Sequence, residues 1–278
     1  MSTSAASPST QVLLDDRGFL EGPRWHDGKL WLSDLHRHQV LTYDAGELSA
    51  VAELDDQPSG LGFLPTGDVL IVSLLHRRLL RGETLAVHAD LVDLTIGGTN
   101  DMIVDRLGRA YVGSFGYDLF AKAPVAPGNL VLVTAEGNAR VVAEDLAFPN
   151  GMAITADGCL LVAESYANTI TAFDIADDGT LANRRVWAEV PGVPDGVSLD
   201  AGGALWVALG HSDSIVRVEA GGQITDRVTL RPEWNAVSCA LGGDDGRTLF
   251  ITTAKFAGRV TTARLESIRV EVPALSRS

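Results

Sequence analysis

NGMAITADGCLLVAE, running from Asn150 to Glu164, sets two short apolar runs on either side of a Gly-containing turn. Runs of this length, rich in aliphatic residues and broken by Asp157-Gly158, read as a β-hairpin. The same pattern recurs along the chain. It stands as EGPRWHDGKLWLSD from Glu21, SGLGFLPTGDVLIVS from Ser59 and NDMIVDRLGRAYVGS from Asn100. It returns as DGVSLDAGGALWVAL from Asp195 and SCALGGDDGRTLFITT from Ser238. The turn glycine falls eight residues after the lead residue in five units and seven after it in the first, and successive units start 38 to 50 residues apart.

Behind most units lies a further hairpin, as in HQVLTYD, NTITAFDI and SIVRVEA, giving about four strands per unit. No long amphipathic helix is visible. Four-stranded units at a period of about 45 residues predict a β-propeller, and six units predict six blades. A β-sandwich of similar strand count would not require a repeated lead residue. The run around Val12 or the run around Val270 is expected to complete the last blade. No Pro/Ser-rich linker divides the chain. Residues 1–11 are expected as a flexible tail and 12–278 as one six-bladed propeller domain with a metal site in its central channel.

The 278 residues carry 36 acidic and 22 basic side chains, a formal net charge of −14. With 46% apolar residues the chain has ample material for a core, which excludes a disordered protein. The negative balance disfavours nucleic acid and anionic membranes as partners. It does not disfavour a small cation. No apolar run approaches the roughly 18–20 residues of a membrane span. The opening MSTSAASPST lacks the basic and apolar regions of a signal peptide, so a cytoplasmic protein is expected. Cys159 and Cys239 have no CxxC spacing and read as ordinary buried thiols.

A propeller arranges its innermost strands around one channel, so equivalent positions of the repeats form a ring. The lead residues are Glu21, Ser59, Asn100, Asn150, Asp195 and Ser238, all oxygen-bearing. Each alone could cap a turn. As a set, two carboxylates and two carboxamides on one axis would repel or stay unpaired unless something sat between them. A hard divalent cation satisfies them, and the absence of His and Cys from the ring points to Ca²⁺, Mg²⁺ or Mn²⁺. Such an ion beside a carboxylate is equipment for hydrolysing an ester-like bond.

EGPRW at Glu21, NDM at Asn100, FPNGM around Asn150 and VPDGVSLD around Asp195 resemble the SMP-30/gluconolactonase/LRE (regucalcin-like) family. ANRRVW at Ala182 and SCALGG at Ser238 add weaker likeness, and the resemblance runs from about Val12 to Glu266. It implies a six-bladed propeller and a metal-dependent lactonase. It also implies that Glu21, Asn150 and Asp195 ligate one divalent ion, Ca²⁺ before Mg²⁺, Mn²⁺ or Zn²⁺, with Asp195 as general base. Asn100 would hold substrate or approach the metal through water, and Asp118 falls where sugar lactonases place a substrate-binding Glu. One departure stands out. Sugar-lactonase members carry Arg two residues before the Asn, and here that position is Gly98, which removes a bidentate donor for sugar hydroxyls. Arg24, near Glu21, is the expected substitute, and His211, following ALWVAL, is a candidate for the channel wall.

HExxH, P-loop and GxSxG motifs are absent, and His36 and His38 read as one face of a solvated strand edge. The expected reading is a hydrolase opening a small-molecule lactone. Its rivals use the same metal site for isomerisation, elimination or ring formation, or keep a structural ion in a non-catalytic binding propeller.

Overall fold

The computed structural model describes residues 10–257 and 260–275. Its strands fall into six antiparallel sheets of four strands each. In five sheets chain order is sheet order. The first blade, for example, runs Leu20–His26, Lys29–Asp34, Gln39–Asp44 and Glu47–Glu53 from the axis outward. The other inner strands are Pro58–Phe63, Thr99–Val104, Pro149–Ile154, Val193–Leu199 and Asn235–Gly242. Each lies beside the next, and Asn235–Gly242 lies beside Leu20–His26, so the ring is closed. The chain is all-β, a six-bladed propeller as the repeats predict.

The hairpin register comes from the repeated glycines. Gly28, Gly67, Gly108, Gly158, Gly203 and Gly246 have φ between 68° and 90°, a conformation that a side chain resists. Large apolar side chains then fill the space between blades. Leu161, Ile170, Val197, Leu205 and Val216 join the fourth blade to the fifth. Each such side chain contributes about 1.5–3 kcal/mol when fully buried.

The ring is fastened by the segment around Val12 and not by that around Val270. Gln11–Arg17 pairs antiparallel with Val260–Arg269 as the outer strand of the sixth blade. Thr10 Oγ1 and Thr253 Oγ1 both donate to the buried Glu266 carboxylate, and Arg264 holds Asp15 at 2.8 and 2.9 Å. Ordered structure thus begins before residue 12, and residues 1–9 of the expected tail lie outside the described residues. The stretch after Val270 crosses instead to the fifth blade, where Ala201 N donates to Pro273 O.

Among the described residues the one helical piece is a 3₁₀ turn at Leu35–Arg37, and no helix is long and apolar enough to cross a membrane. That turn corrects the expectation for His36 and His38. His36 lies in the turn and His38 caps it in the left-handed conformation, so the pair does not share a strand face. Cys239 is buried as expected, whereas Cys159 is half-buried beside Asp174 and Arg185.

Candidate active site

The lead residues reach the channel because every inner strand is irregular at that point. Pairing with the second strand breaks register between Glu21 and Arg24, Pro58 and Leu61, Thr99 and Met102, Pro149 and Met152, Pro194 and Val197, and Ala236 and Ser238. A break of this kind re-aims side chains that a regular strand would send alternately to its two faces. Close approach of the blades draws the ring tight. A Cβ on Gly60 would lie 2.6 Å from Met102 N, and one on Gly196 would lie 1.8 Å from Ser238 Oγ.

Glu21 and Asp195, from the first and fifth blades, influence each other's charge, and Asp101 acts on both. Burial, then the charges of Asp195 and Asp101, raise the Glu21 pKa well above the ordinary carboxylate range. Burial, then the Asp101 charge, pushes Asp195 up to about 7, against a lowering hydrogen bond from the Asn150 side chain. The two asparagines are tethered by their amide nitrogens. Asn150 Nδ2 donates to Ser165 Oγ at 3.2 Å, and Ser165 Oγ in turn donates to Pro194 O at 2.7 Å. Asn100 Nδ2 donates to Pro149 O at 3.2 Å. Each tether leaves a carbonyl oxygen for a ligand. Ser238 Oγ is buried without a hydrogen-bond partner in the same ring.

These groups fit a hard cation. Paired carboxylates of raised pKa release their mutual repulsion onto a divalent ion, and tethered carboxamides offer neutral oxygens. Among the described residues no three His, Cys, Asp or Glu side chains form a ready-made cage, so the amide oxygens are needed to complete the donor set.

Arg24, the expected substitute for the missing Arg, is held inside the ring: Nη2 lies 2.8 Å from Asp101 Oδ1 and 2.7 Å from Met102 O, and Nη1 donates to Pro23 O at 2.9 Å. The physical reason is Asp101, a third carboxylate that needs a partner. A signal for it was available in the repeat. The residue after the lead is Gly22, Gly60, Gly151 and Gly196 in four units, Cys239 in the last, and aspartate only in the third. Arg24 also lines a cavity of about 720 Å³ whose wall mixes apolar residues such as Ile103, Met152 and Leu241 with His26, Asp244 and Asp245. Glu21, Asn100 and Asp195 keep part of their exposure.

Asp118 is likewise spent locally. It is exposed and its Oδ1 accepts from Ala121 N at 2.9 Å, capping its own loop. His211 is exposed just past Leu205–Gly210, its ring centroid 6.3 Å from that of Phe256. Trp234 is buried under the Arg264 guanidinium, 3.9 Å from the ring centroid.

The SMP-30/Gluconolactonase/LRE-like region profile matches residues 19–255, and the chain belongs to that family. Among solved structures it is similar to a luciferin-regenerating enzyme, at 20% identity over 97% of this chain and 98% of that one, with a TM-score of 0.82. It is similar to the calcium-binding protein regucalcin of Agrobacterium tumefaciens, at 20% identity over 96% and 97%, with a TM-score of 0.77. It is also similar to a gluconolactonase of Xanthomonas campestris, at 25% identity over 92% and 89%, with a TM-score of 0.74.

Proposed function

We propose that this protein is a metal-dependent hydrolase that opens the ring of a small-molecule lactone. The observation that carries the reading is the pair of carboxylates Glu21 and Asp195, their pKa values both raised chiefly by burial, flanked by two asparagines with tied amide nitrogens. Membership of the family and likeness to a gluconolactonase support it. Glu21, Asn150 and Asp195 would hold one divalent ion, and likeness to a calcium-binding regucalcin favours Ca²⁺. When bound, the ion supplies Lewis-acid polarisation of the lactone carbonyl and a lowered pKa for a neighbouring water.

The chain's own residues supply the rest. Asp195 accepts a proton from the attacking water at its carboxylate oxygen. The water oxygen bonds to the carbonyl carbon, the ring C–O bond breaks, and Asp195 returns the proton to the leaving ring oxygen, giving a hydroxy acid and regenerating the carboxylate. Asn100 offers its Oδ1 to a water beside the ion, because its Nδ2 is tied to Pro149 O. Ser165 holds the Asn150 amide in one orientation. Arg24 balances the Asp101 charge, so the site carries two uncompensated carboxylates instead of three.

Acid release from a panel of sugar and alkyl lactones, followed by pH-stat with Ca²⁺, Mn²⁺ or Zn²⁺, tests the reading. Metal-dependent acid release that disappears in Asp195→Ala is expected. No hydrolysis of any lactone with any metal would overturn it.

A further inference from the structure

Gly98, where the resemblance leads one to expect Arg, is closely packed. A Cβ at Gly98 would lie 2.9 Å from Leu74 Cδ2 and 2.9 Å from Phe115 Cε2. Both neighbours are buried, so the backbone at 98 is walled by hydrocarbon and no longer side chain fits without repacking.

The same height of the channel is uncharged, and apolar at every position but Gln57. The residues two before the lead positions are Phe19, Gln57, Gly98, Phe148, Val193 and Ala236, none of them charged. Phe19, Phe148 and Leu119 pack against the buried cluster of Leu35, Leu74 and Phe115, which spans the first four blades at this end. Phe148 is central to an aromatic run, stacked on Phe115 at 4.8 Å and tilted against Tyr166 at 4.7 Å between centroids. Phe256, on the adjoining sixth blade, lies 6.2 Å from Phe19 between centroids.

This collar meets solvent. Tyr166 is 50% exposed, Phe256 49% and Phe120 55%. Rings held in fixed contacts with one face open to water are built to receive apolar surface. Around Phe148 the polar groups are engaged: Tyr117 Oη and Tyr166 Oη share a 2.7 Å hydrogen bond with each other, and Asp118 caps its loop. The exposed imidazoles of His36 and His211 lie on the other flank, 5.6 Å from Phe19 and 6.3 Å from Phe256 between centroids. A polyhydroxylated ring set against Phe148 and Tyr166 would lose more water hydrogen bonds than these two rings return.

We infer that this mouth selects lactones carrying an apolar substituent, alkyl or aryl, over polyhydroxylated sugar lactones. The inference rests on the lactonase reading for its chemistry but concerns the collar alone. The substituent lies against Phe148, Tyr166 and Phe256 while the lactone carbonyl faces Glu21 and Asp195.

The test uses the full chain with saturating Ca²⁺, comparing δ-decalactone with D-glucono-δ-lactone, which share a ring size. Expected is a kcat/KM for decalactone at least tenfold higher, because each buried methylene favours binding by a factor of about three to four. The variant Tyr166→Ser/Phe256→Ser removes two half-exposed rings and leaves the buried cluster intact. It is expected to raise KM for decalactone about fivefold and to change KM for gluconolactone by less than twofold, so that the ratio between the two substrates falls. Equal or higher kcat/KM for gluconolactone overturns the inference while leaving the lactonase reading standing. Should neither lactone be hydrolysed, ligand-observed NMR with the same two compounds decides the inference, and the wider lactone and metal panel decides the lactonase reading. Binding of decalactone alone, weakened in the double variant, sustains it; binding of neither, or of gluconolactone alone, overturns it.

Discussion

Arg24 Nη2 lies 2.8 Å from Asp101 Oδ1, joining the inner strand of the first blade to that of the third through the channel. Both side chains are nearly buried, so the pair sits where removing one partner is far costlier than removing both. Arg24→Met should lower stability by about 3–5 kcal/mol in the absence of metal. It should also tighten Ca²⁺ binding, because a third free carboxylate then faces Glu21 and Asp195. Asp101→Asn should instead weaken Ca²⁺, leaving an unbalanced guanidinium beside the site. The double variant Arg24→Met/Asp101→Asn should recover most of the lost stability. Thermal melts and calorimetric Ca²⁺ titration of the three variants check this. Equal Ca²⁺ affinity in both single variants would refute it.

The two axial carboxylates predict an unusual pH profile for the metal-free protein. Asp195 is pushed up to about 7 and Glu21 is raised well above its ordinary 4.5, chiefly by burial. A folded pKa above the unfolded one means that the folded state binds more protons. Stability is then full at low pH and is lost as pH rises through the folded value. In EDTA the Tm should therefore fall between about pH 5 and 8. Asp245, held down to about 2 by Arg269, acts in the opposite direction but only below this window. Saturating Ca²⁺ should flatten the fall, because it binds the charged folded form. A Tm independent of pH in EDTA would count against the coupling.

Asp195→Asn should lower kcat by about 10²–10⁴, the range expected for loss of a general base. It should at the same time raise the metal-free Tm near pH 8, where the wild-type carboxylate is forced to ionise. Loss of activity together with a gain in stability separates a role in chemistry from a role in folding. A variant that is both inactive and destabilised would favour a structural role.

Asp34 ties the scaffold to the mouth. It is fully buried and accepts from Arg17 Nε, Gly18 N, Phe19 N and Arg37 N at 3.1 to 3.3 Å. Asp34→Ala strands these donors and should cost about 3–5 kcal/mol. Because Phe19 lies two residues before Glu21, Ca²⁺ affinity should fall as well. Denaturant melts and a Ca²⁺ titration of the folded fraction measure the two effects separately.

The propeller was legible because its repeat unit is short and its turn glycines are periodic, from Gly28 to Gly246. The lead ring was legible for the same reason. Closure was not, since both Val12 and Val270 lie in strand-like runs, and only the long-range contacts of Thr10 and Glu266 decide between them. Nor was the fate of Arg24. Its partner Asp101 lies 77 residues away on a different blade, and no local pattern links the two. The aromatic collar escaped because its members come from inner-strand entries and loops of different blades, with no common spacing. Only Gly98, read as a missing Arg, hinted that the mouth differs.

Gly196 places Asp195 against the sixth blade. An added Cβ would come within 1.8 Å of Ser238 Oγ, 2.4 Å of Ser238 Cβ and 2.6 Å of Ser238 Cα. Gly196→Ala must therefore push the fifth and sixth blades apart at the axis, costing about 1–3 kcal/mol. Because Asp195 is its chain neighbour, Ca²⁺ affinity should fall about tenfold or more. Ser238→Gly in the same chain removes the two closest obstacles and leaves the third, so recovery should be partial. Ser238→Ala alone should be neutral or slightly stabilising, because its Oγ is buried without a partner. Should Gly196→Ala bind Ca²⁺ as wild type does, the ligand ring does not depend on the spacing of these two blades.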